Sequence, residues 1–235
     1  MSSPLYAFSL GREWKLSLAE LFALFGEKSY HSHSEMVAIF SISDEENSII
    51  TKFRNIGGSI RVMKIVANTN PGKFPTDVIE IIGKPEGKFH FALGAYGETL
   101  EQSHVGLRIK KTLSEKGISA RLINTENKNI NAAAWKKEKL GKSQSEYNLI
   151  SVPVIASETK QSRNTGTLDL HARFHSARDD EIQEKGIYLA ITLACQDIDA
   201  YAKRDTEKSR DMVVGMMPPK LCQMMINIAS DNERK

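Results

Sequence analysis

Residues 106–123 read GLRIKKTLSEKGISARLI. Together with the residues just before it, this stretch predicts a helix over 103–116, because apolar residues recur at helical spacing and the opposite side is rich in lysine and arginine. Gly117 ends the helix, and the alternation of residues over 118–123 predicts a strand. A helix followed at once by a strand indicates a mixed fold in which helices cover a sheet.

Short strands and helices are predicted on both sides of this stretch. Strands are expected at 5–10, 36–42, 60–66, 88–96, 147–152 and 187–195, and further helices at 18–25, 48–55, 131–140 and 218–229. Ser17 followed by Glu20 forms a capping-box pattern and favours a helix start at Ser17. Residues 68–75, which are dense in Asn, Pro and Gly, predict a linker. The sequence therefore predicts an α+β fold with a break near 68–75.

The composition is that of an ordinary globular protein. Of 235 residues, 40% are hydrophobic and 26% are charged, which excludes a disordered chain. Residues 1–15 lack the features of a signal peptide, and no stretch approaches the roughly 18 consecutive apolar residues needed to cross a bilayer. We therefore expect a soluble, cytoplasmic protein in which Cys195 and Cys222 are buried thiols in a reducing compartment.

Positive charge is concentrated in one segment. Residues 104–142 contain 10 lysines and arginines against 3 acidic residues, whereas residues 1–66 contain 7 of each and residues 196–235 again 7 of each. The whole chain has a net charge of only +3, so this one segment, at 10 − 3 = +7, accounts for more than the entire excess. Such an asymmetry indicates a polyanionic partner.

Five strings of the sequence carry a family resemblance. They are YAFSLGREWKLSLAEL at 6–21, GLRIKKTLSEKGISARLI, NAAAWKKEKL at 131–140, CQDIDAYAKRD at 195–205 and GMMPPKLCQMMINIA at 215–229. Together they resemble the THUMP-domain tRNA guanine-N2 methyltransferases, a family of S-adenosylmethionine-dependent RNA methylases. The last two strings are similar to the signature that joins the THUMP domain to the methyltransferase domain, and the last one is the most specific.

The resemblance implies an α+β fold with three parts. These are an N-terminal ferredoxin-like domain at 1–67, a THUMP RNA-binding domain at 76–195, and a linker with a C-terminal amphipathic helix at 196–235. No Gly-x-Gly loop follows a predicted strand, and no Asn/Asp-Pro-Pro-aromatic string occurs. We therefore expect the chain to be truncated relative to the family, with no Rossmann-like methyltransferase domain and no cofactor of its own. S-adenosylmethionine would belong to the missing catalytic domain.

The THUMP part is predicted to be interrupted by an insertion at 151–184. This segment has no sustained periodicity, and a structureless run of that length is uncommon inside a compact domain. Its string VIASETKQSRN…SARDDE resembles the translated product of interspersed palindromic repeats in some bacterial genomes. The resemblance implies an in-frame genomic insertion that carries no selected function.

The RNA-binding candidates are the basic residues of the charged segment. They are Arg108, Lys110, Lys111, Lys116, Arg121, Lys136, Lys137 and Lys139, with Lys142 beside them. Cations that neutralise phosphates release condensed counterions, so such a surface binds RNA with a steep salt dependence. It would read the shape of a structured RNA rather than its sequence. The alternative is that these side chains only solvate two helix faces.

A second predicted surface lies on the C-terminal helix. Four apolar residues recur there at helical spacing: Leu221, Met224, Met225 and Ile228. In the family this surface packs on the methyltransferase domain. Without that domain we expect an exposed, methionine-rich stripe that docks a separately encoded methyltransferase domain.

No catalytic residue and no metal site is predicted. Histidines occur as the pairs His31 and His33 and His171 and His175, but no third ligand accompanies them in a recognisable order. Three aspartates are expected to hold the linker by capping or ion pairing, namely Asp197, Asp199 and Asp205.

Three functional interpretations remain open. The first is the tRNA-binding portion of a tRNA guanosine N2-methyltransferase, which positions tRNA for a catalytic domain outside this chain. The second is a stand-alone THUMP RNA-binding adaptor in another kind of tRNA modification. The third is a truncated, inactive remnant. In each case the chain alone is expected to lack methyltransferase activity.

Overall fold

The structure is a computed structural model that describes residues 3–85, 87–124, 126, 128–141, 145–153, 185–207 and 217–231. The strands are β1 (Leu5–Leu10), β2 (Tyr30–His33), β3 (Val37–Ser41), β4 (Ser59–Asn68), β5 (Phe89–Tyr96), β6 (Ala120–Leu122), β7 (Ser145–Pro153) and β8 (Lys185–Cys195). The helices are α1 (Trp14–Phe25), α2 (Glu46–Phe53), α3 (Phe74–Ile82), α4 (Gln102–Glu115), α5 (Ala132–Lys137), α6 (Ile198–Glu207) and α7 (Pro219–Asp231). These strands form a mixed eight-stranded sheet in the order β2-β3-β1-β4-β8-β7-β5-β6.

The N-terminal half of the sheet is centred on β1, which pairs antiparallel with β3 and β4. Successive side chains of a strand point to opposite faces. Tyr6 and Phe8 accordingly pack in the core beneath α1 and α2, whereas Ala7 belongs to the core on the other face. Phe8 also meets the ring of Phe40 on β3 in an edge-to-face contact. The apolar alternation of β1 therefore fixes which face carries the first two helices.

The C-terminal half is built from two parallel crossovers. β5 pairs in parallel with both β6 and β7, so α4 leads from β5 to β6 and α5 leads back across β5 to β7. Such crossovers are almost always right-handed, and two that run in opposite directions therefore place their helices on opposite faces. The packing agrees, because Phe91 and Leu93 of β5 share a core with α4, whereas Ala92 packs with Trp135 of α5.

Strand β8 joins the two halves. It pairs antiparallel with β4 on one side and with β7 on the other, so one continuous sheet runs through the regions expected as domains 1–67 and 76–195. That division stays a prediction. The sheet also curls, because β2 at its edge contacts β7 although four strands lie between them in the sheet. The concave side of the curl holds its own buried core, which includes Val37, Ile39, Met63, Ile150 and Ala190.

The predicted helix start at Ser17 is wrong. Helix α1 begins at Trp14, and Ser17 lies one turn inside it, where its hydroxyl donates to the Glu13 carbonyl at 3.0 Å. Glu20 does not reach back to cap the helix. It is fully buried and accepts hydrogen bonds from the Gly57 and Gly58 N–H groups, both at 2.8 Å. The two glycines leave two backbone donors inside the core, and Glu20 is the side chain placed to satisfy them.

Three elements were not predicted from the sequence. β2 reads YHSH and carries no apolar alternation. α3 begins within the stretch expected to be a linker, because Pro75 lies in the first helical turn, where a missing N–H costs nothing. α6 forms in the stretch expected to be the linker after 195, and its Tyr201 hydroxyl donates to the Ile56 carbonyl at 3.3 Å. The remaining strands and helices match the predicted order to within a few residues at each end.

Of the predicted insertion at 151–184, the structure describes only residues 151–153, which belong to β7. The rest lies outside the described residues. β7 and β8 form an antiparallel ladder that continues to Pro153 opposite Lys185. The ladder therefore places Pro153 and Lys185 directly opposite each other. No helix among the described residues is long and apolar enough to span a bilayer.

Candidate nucleic-acid interface

All eight predicted RNA-binding side chains are exposed, but they form two surfaces rather than one. Arg108, Lys110, Lys111 and Lys116 lie on or just after α4, whereas Lys136, Lys137 and Lys139 lie on or just after α5. Because the two crossover helices cover opposite faces of the sheet, the two groups face away from each other. Their shared boundary is the edge strand β6, which carries Arg121. The charged segment is thus continuous in sequence and divided in space.

The α4 surface is held close to the sheet by small and apolar residues. Val105, Ile109 and Leu113 face the core, which directs the basic positions outward. Gly106 permits the close approach, since a Cβ at this position would lie 2.5 Å from Leu122 of β6. Arg121 is exposed on β6, opposite His90 of β5. Leu122 of β6 faces α4, so Arg121 beside it points to the opposite face of the sheet and does not join the α4 cations.

The α5 surface is shaped by capping at both ends of a short helix. Asn131 accepts a hydrogen bond from the Ala134 N–H at 2.8 Å and caps the start. At the other end the Leu140 N–H donates to the Trp135 carbonyl, with Lys139 at a φ of 54°. This arrangement is a Schellman motif with a lysine at the left-handed position that glycine usually takes.

Among the predicted RNA-binding cations, Lys136 already makes ion pairs with other described side chains. Its ammonium lies 2.6 Å from Asp199 and 3.4 Å from Asp197, and the hydrogen bond to Asp199 raises the pKa of Lys136. Asp197 also accepts from the Ala200 N–H. The expectation that Asp197 and Asp199 hold the linker by capping and ion pairing is confirmed. Asp199 and Asp197 therefore compete with any phosphate for Lys136.

The other seven candidates make no ion pair with the described residues. Elsewhere the same protein pairs exposed lysines, as in Lys52 with Asp44 and Lys64 with Glu46. Unpaired exposed cations keep their full charge for an incoming anion, since no neighbouring carboxylate has to be displaced first. Lys142 lies outside the described residues.

A cavity of about 690 Å³ opens on the concave side of the sheet and was not predicted from the sequence. At its base Arg61 donates to Glu146 Oε2 at 3.0 Å and to the Ile130 carbonyl, and Thr192 donates to the same Glu146 oxygen at 2.7 Å. Burial raises the pKa of Glu146, which Arg61 partly offsets, and burial raises the pKa of Tyr96 to about 12.

The buried ion pair of Arg61 and Glu146 connects two strands of the sheet. Removing one partner of a buried ion pair leaves an uncompensated charge, and Arg61 links β4 to β7, two strands that are not neighbours in the sheet. The sequence signal was a charged residue inside a predicted strand, Arg61 in 60–66, with Glu146 just before another. Such a residue requires a buried partner.

The predicted stripe on the C-terminal helix is only partly exposed. Met224 is 7% exposed and packs where a Cβ on Gly58 would lie 2.8 Å from its sulfur, so the expectation of exposure is wrong for this residue. The reason is that α7 packs on α1, and Met224 faces that contact. Leu221 and Ile228 are half-buried, and Met225 is 50% exposed.

The described part of the chain contains no assembled metal site and no paired cysteines. No group of three His, Cys, Asp or Glu side chains there is placed to hold a metal ion. His171 and His175 lie outside the described residues. Cys195 and Cys222 are unpaired and half-buried rather than buried, and burial raises the pKa of the Cys195 thiol.

Comparison with known proteins assigns no family. No family model matches the chain, and no curated protein matches it. One solved structure that matches is described as a 4-thiouridine synthetase–RNA complex with bound ATP, with a TM-score of 0.35 and 10% identity. The alignment covers 80% of this chain and 41% of that one. The chain thus spans less than half the length of that structure, and a likeness this distant identifies neither its ligand nor its reaction.

Proposed function

We propose that this chain is a THUMP-type, tRNA-binding module of an RNA-modification system. The observation that carries the proposal is the set of seven exposed cations with no ion-pair partner among the described residues, concentrated around one edge of the sheet. A protein that only needed a solvated surface would intersperse both signs of charge. Residues 104–142 instead carry 10 basic residues against 3 acidic ones.

The α4 side of the edge is the stronger part of this surface. Arg108, Lys110, Lys111 and Lys116 keep their charges free, whereas Lys136 on the α5 side is held by two aspartates. A helix that lies flat on a sheet offers cations at fixed spacing, and this suits the regular phosphates of an A-form duplex. The module would therefore recognise the shape of a folded RNA.

The proposal extends to the reaction that the RNA undergoes. The sequence resemblance to the guanosine N2-methyltransferases favours methylation at a guanine amino group, with S-adenosylmethionine and the catalytic residues outside these 235 residues. The exposed Met225 and the half-buried Leu221 and Ile228 of α7 would contribute to docking of that catalytic domain. Copurification of a methyltransferase-domain protein with the full chain tests this part alone.

The RNA-binding part is tested by titrating a mixed tRNA pool into the full chain at low and moderate salt. We expect binding that weakens steeply with salt, and a further loss in the variant Arg108→Ala/Lys110→Ala/Lys111→Ala. A matched control, Lys28→Ala/Lys52→Ala/Arg54→Ala, removes the same charge from exposed positions in the N-terminal half. Equal losses in the two variants would show that net charge alone drives the binding.

The same titration separates the alternatives. A stand-alone adaptor would bind tRNA and recruit no methyltransferase domain. An inactive remnant would show no binding at low salt although the chain is folded. Circular dichroism of each variant verifies that folding is unchanged.

A further inference from the structure

Helices α3 and α4 lie side by side on one face of the sheet and leave a groove between them. Val78 of α3 and Ile109 of α4 are fully buried in the core below, which sets the distance between the two helices. The groove has a volume of about 180 Å³. Its base is apolar, formed by Ile79 and Ile109, and its rims are polar.

One rim is a row of three side chains on α4 and at its C-terminal end. Arg108, Thr112 and Lys116 are spaced by four residues, so they stand one above another along the same side of the helix, and all three line the groove. Lys110 stands roughly 200° around the helix from Arg108 at about 100° per residue, so it lies outside the groove. Among the basic side chains of the α4 region, Arg108 and Lys116 line the groove and the others do not.

The polar groups of this rim are not engaged with the protein. Two exposed helical threonines elsewhere donate to carbonyls of the preceding turn, Thr51 to Asn47 at 2.8 Å and Thr206 to Lys203 at 2.9 Å. Thr112 makes no such bond within the described residues, and Arg108 and Lys116 make no ion pair there. The Arg108 guanidinium, the Lys116 ammonium and the Thr112 hydroxyl therefore line one groove with an apolar base. Their donors are not engaged by other described residues.

The far rim, on α3, lowers the net charge of the groove. It carries the Thr76 hydroxyl and the Glu80 carboxylate. Two cations and one carboxylate give the groove a formal charge of +1, which balances a singly charged phosphodiester. A free phosphate group carries about −1.5 to −2 at pH 7 and would leave a net negative charge in the groove. We propose that the α3–α4 groove seats one backbone phosphate of a bound RNA, with Arg108, Lys116 and Thr112 as its donors. This inference rests on the proposed RNA-binding function.

The test compares α4-region cations that line the groove with cations that do not, in the full chain. Arg108→Ala/Lys116→Ala removes the two groove cations, and Lys110→Ala/Lys111→Ala removes the same charge outside the groove. The groove variant is expected to lose about tenfold more tRNA affinity than its control and to lower the salt slope by about one. Thr112→Val, which changes no charge, is expected to weaken binding about fivefold, and Glu80→Gln is expected to strengthen it.

Each outcome decides the inference. If the wild-type chain does not bind tRNA at low salt, the proposed function itself fails. If tRNA binds but the two double variants lose equally and Thr112→Val binds as wild type, the function stands and the phosphate seat is overturned. Inorganic phosphate is titrated separately by NMR chemical shifts. If Arg108→Ala/Lys116→Ala loses that response and still binds tRNA as wild type, the groove is a free-phosphate site, which also overturns the assignment to RNA.

Discussion

His33 sits on the edge strand β2, half-buried between two aromatic side chains. Its ring lies 5.8 Å from the Trp14 ring, centroid to centroid, and its Nδ1 lies 2.6 Å from the Tyr30 hydroxyl. Burial lowers the pKa of His33, because the charged imidazolium loses its hydration. The folded protein therefore holds His33 neutral at pH values where the unfolded chain already binds a proton.

This difference predicts a loss of stability in mild acid. The contribution of a histidine with a lowered pKa is fully present above its ordinary pKa of about 6.5 and is lost as the pH falls through the lowered value. We expect the free energy of unfolding to decrease from pH 7.5 to pH 5.5, and to decrease less in His33→Phe. Urea denaturation at both pH values measures the two decreases.

Other groups affect the same measurement, and Glu146 is one of them because burial raises its pKa. Burial lowers the pKa of His31 as well. Burial raises the pKa of Glu20, so its contribution has the opposite sign and is lost as the pH rises. Only the difference between wild type and His33→Phe isolates His33, and identical pH profiles for the two proteins would contradict the prediction.

Single residues were the hardest features to predict from the sequence. Ser17 and Glu20 fit a helix-capping pattern, yet Glu20 serves two glycine N–H groups that lie 37 and 38 residues away in the chain. Arg61 was recognisable as unusual inside a strand, but its partner Glu146 is 85 residues distant. Local patterns carry no information about such partners, because the fold alone brings them together.

At the scale of elements, two asparagines extend the sheet where β6 ends. Asn124 accepts from the Leu93 N–H at 2.9 Å and donates to the Leu93 carbonyl at 2.7 Å. Asn129 does the same for Ala95, at 2.8 and 2.9 Å. Each amide thus replaces one residue of a missing strand. The three-residue strand β6 can be this short because side chains complete the hydrogen bonding of β5.

The role of the asparagine side chains in completing the sheet is tested with the variant Asn124→Asp. The carboxylate keeps an acceptor but loses the donor, so it faces the Leu93 carbonyl with a negative charge in a buried position. We expect a loss of about 1–3 kcal/mol in the free energy of unfolding, measured by thermal or urea denaturation. Asn47→Asp, at an exposed position of α2, is the control and should have little effect. An equal effect of the two substitutions would show that the paired hydrogen bonds of Asn124 contribute nothing.

Elements with a strong period were predictable, and elements without one were not. The repeat of Val105, Ile109 and Leu113 predicted α4 to within one residue at each end. β2, α3 and α6 lack such a repeat or overlap a stretch rich in turn residues. Their conformation depends on what they pack against. Ser32 of β2, for example, is buried although it is polar.

The pairing of β7 with β8 allows the predicted insertion to be tested by deletion. β7 and β8 remain paired to Pro153 opposite Lys185, so an Asn-Gly turn in place of residues 154–184 would close a two-residue hairpin. Shortening the connection from 31 residues to two is expected to raise the free energy of unfolding by about 2 kcal/mol through loop-closure entropy. Urea denaturation measures the gain.

A control for this deletion keeps the length and changes the sequence. A Gly/Ser segment of equal length in place of residues 154–184 should leave the stability as in the wild type. If the deletion or the replacement lowers the stability by several kcal/mol, the segment contributes to the core and is not a neutral insertion. Unchanged tRNA binding by the shortened chain would show that the segment is also dispensable for the proposed function.

The spatial division of charge is the main feature that the sequence did not reveal. Residues 104–142 are contiguous and strongly basic, which suggested one binding surface. The direction of the two crossovers separates Lys111 on α4 from Lys137 on α5 by the thickness of the sheet. Crossover direction depends on strand order, and strand order cannot be read from the spacing of residues in a single sequence.

The placement of α4 and α5 on opposite faces has a consequence for stoichiometry. A stiff double helix cannot contact both faces of a sheet at once, so each face can engage a separate polyanion. A chain that used both surfaces would have a valency of two. It would bridge RNA molecules into larger assemblies when RNA is in moderate excess, and these would dissolve again when RNA saturates both faces. A chain that uses α4 alone would form only one-to-one complexes.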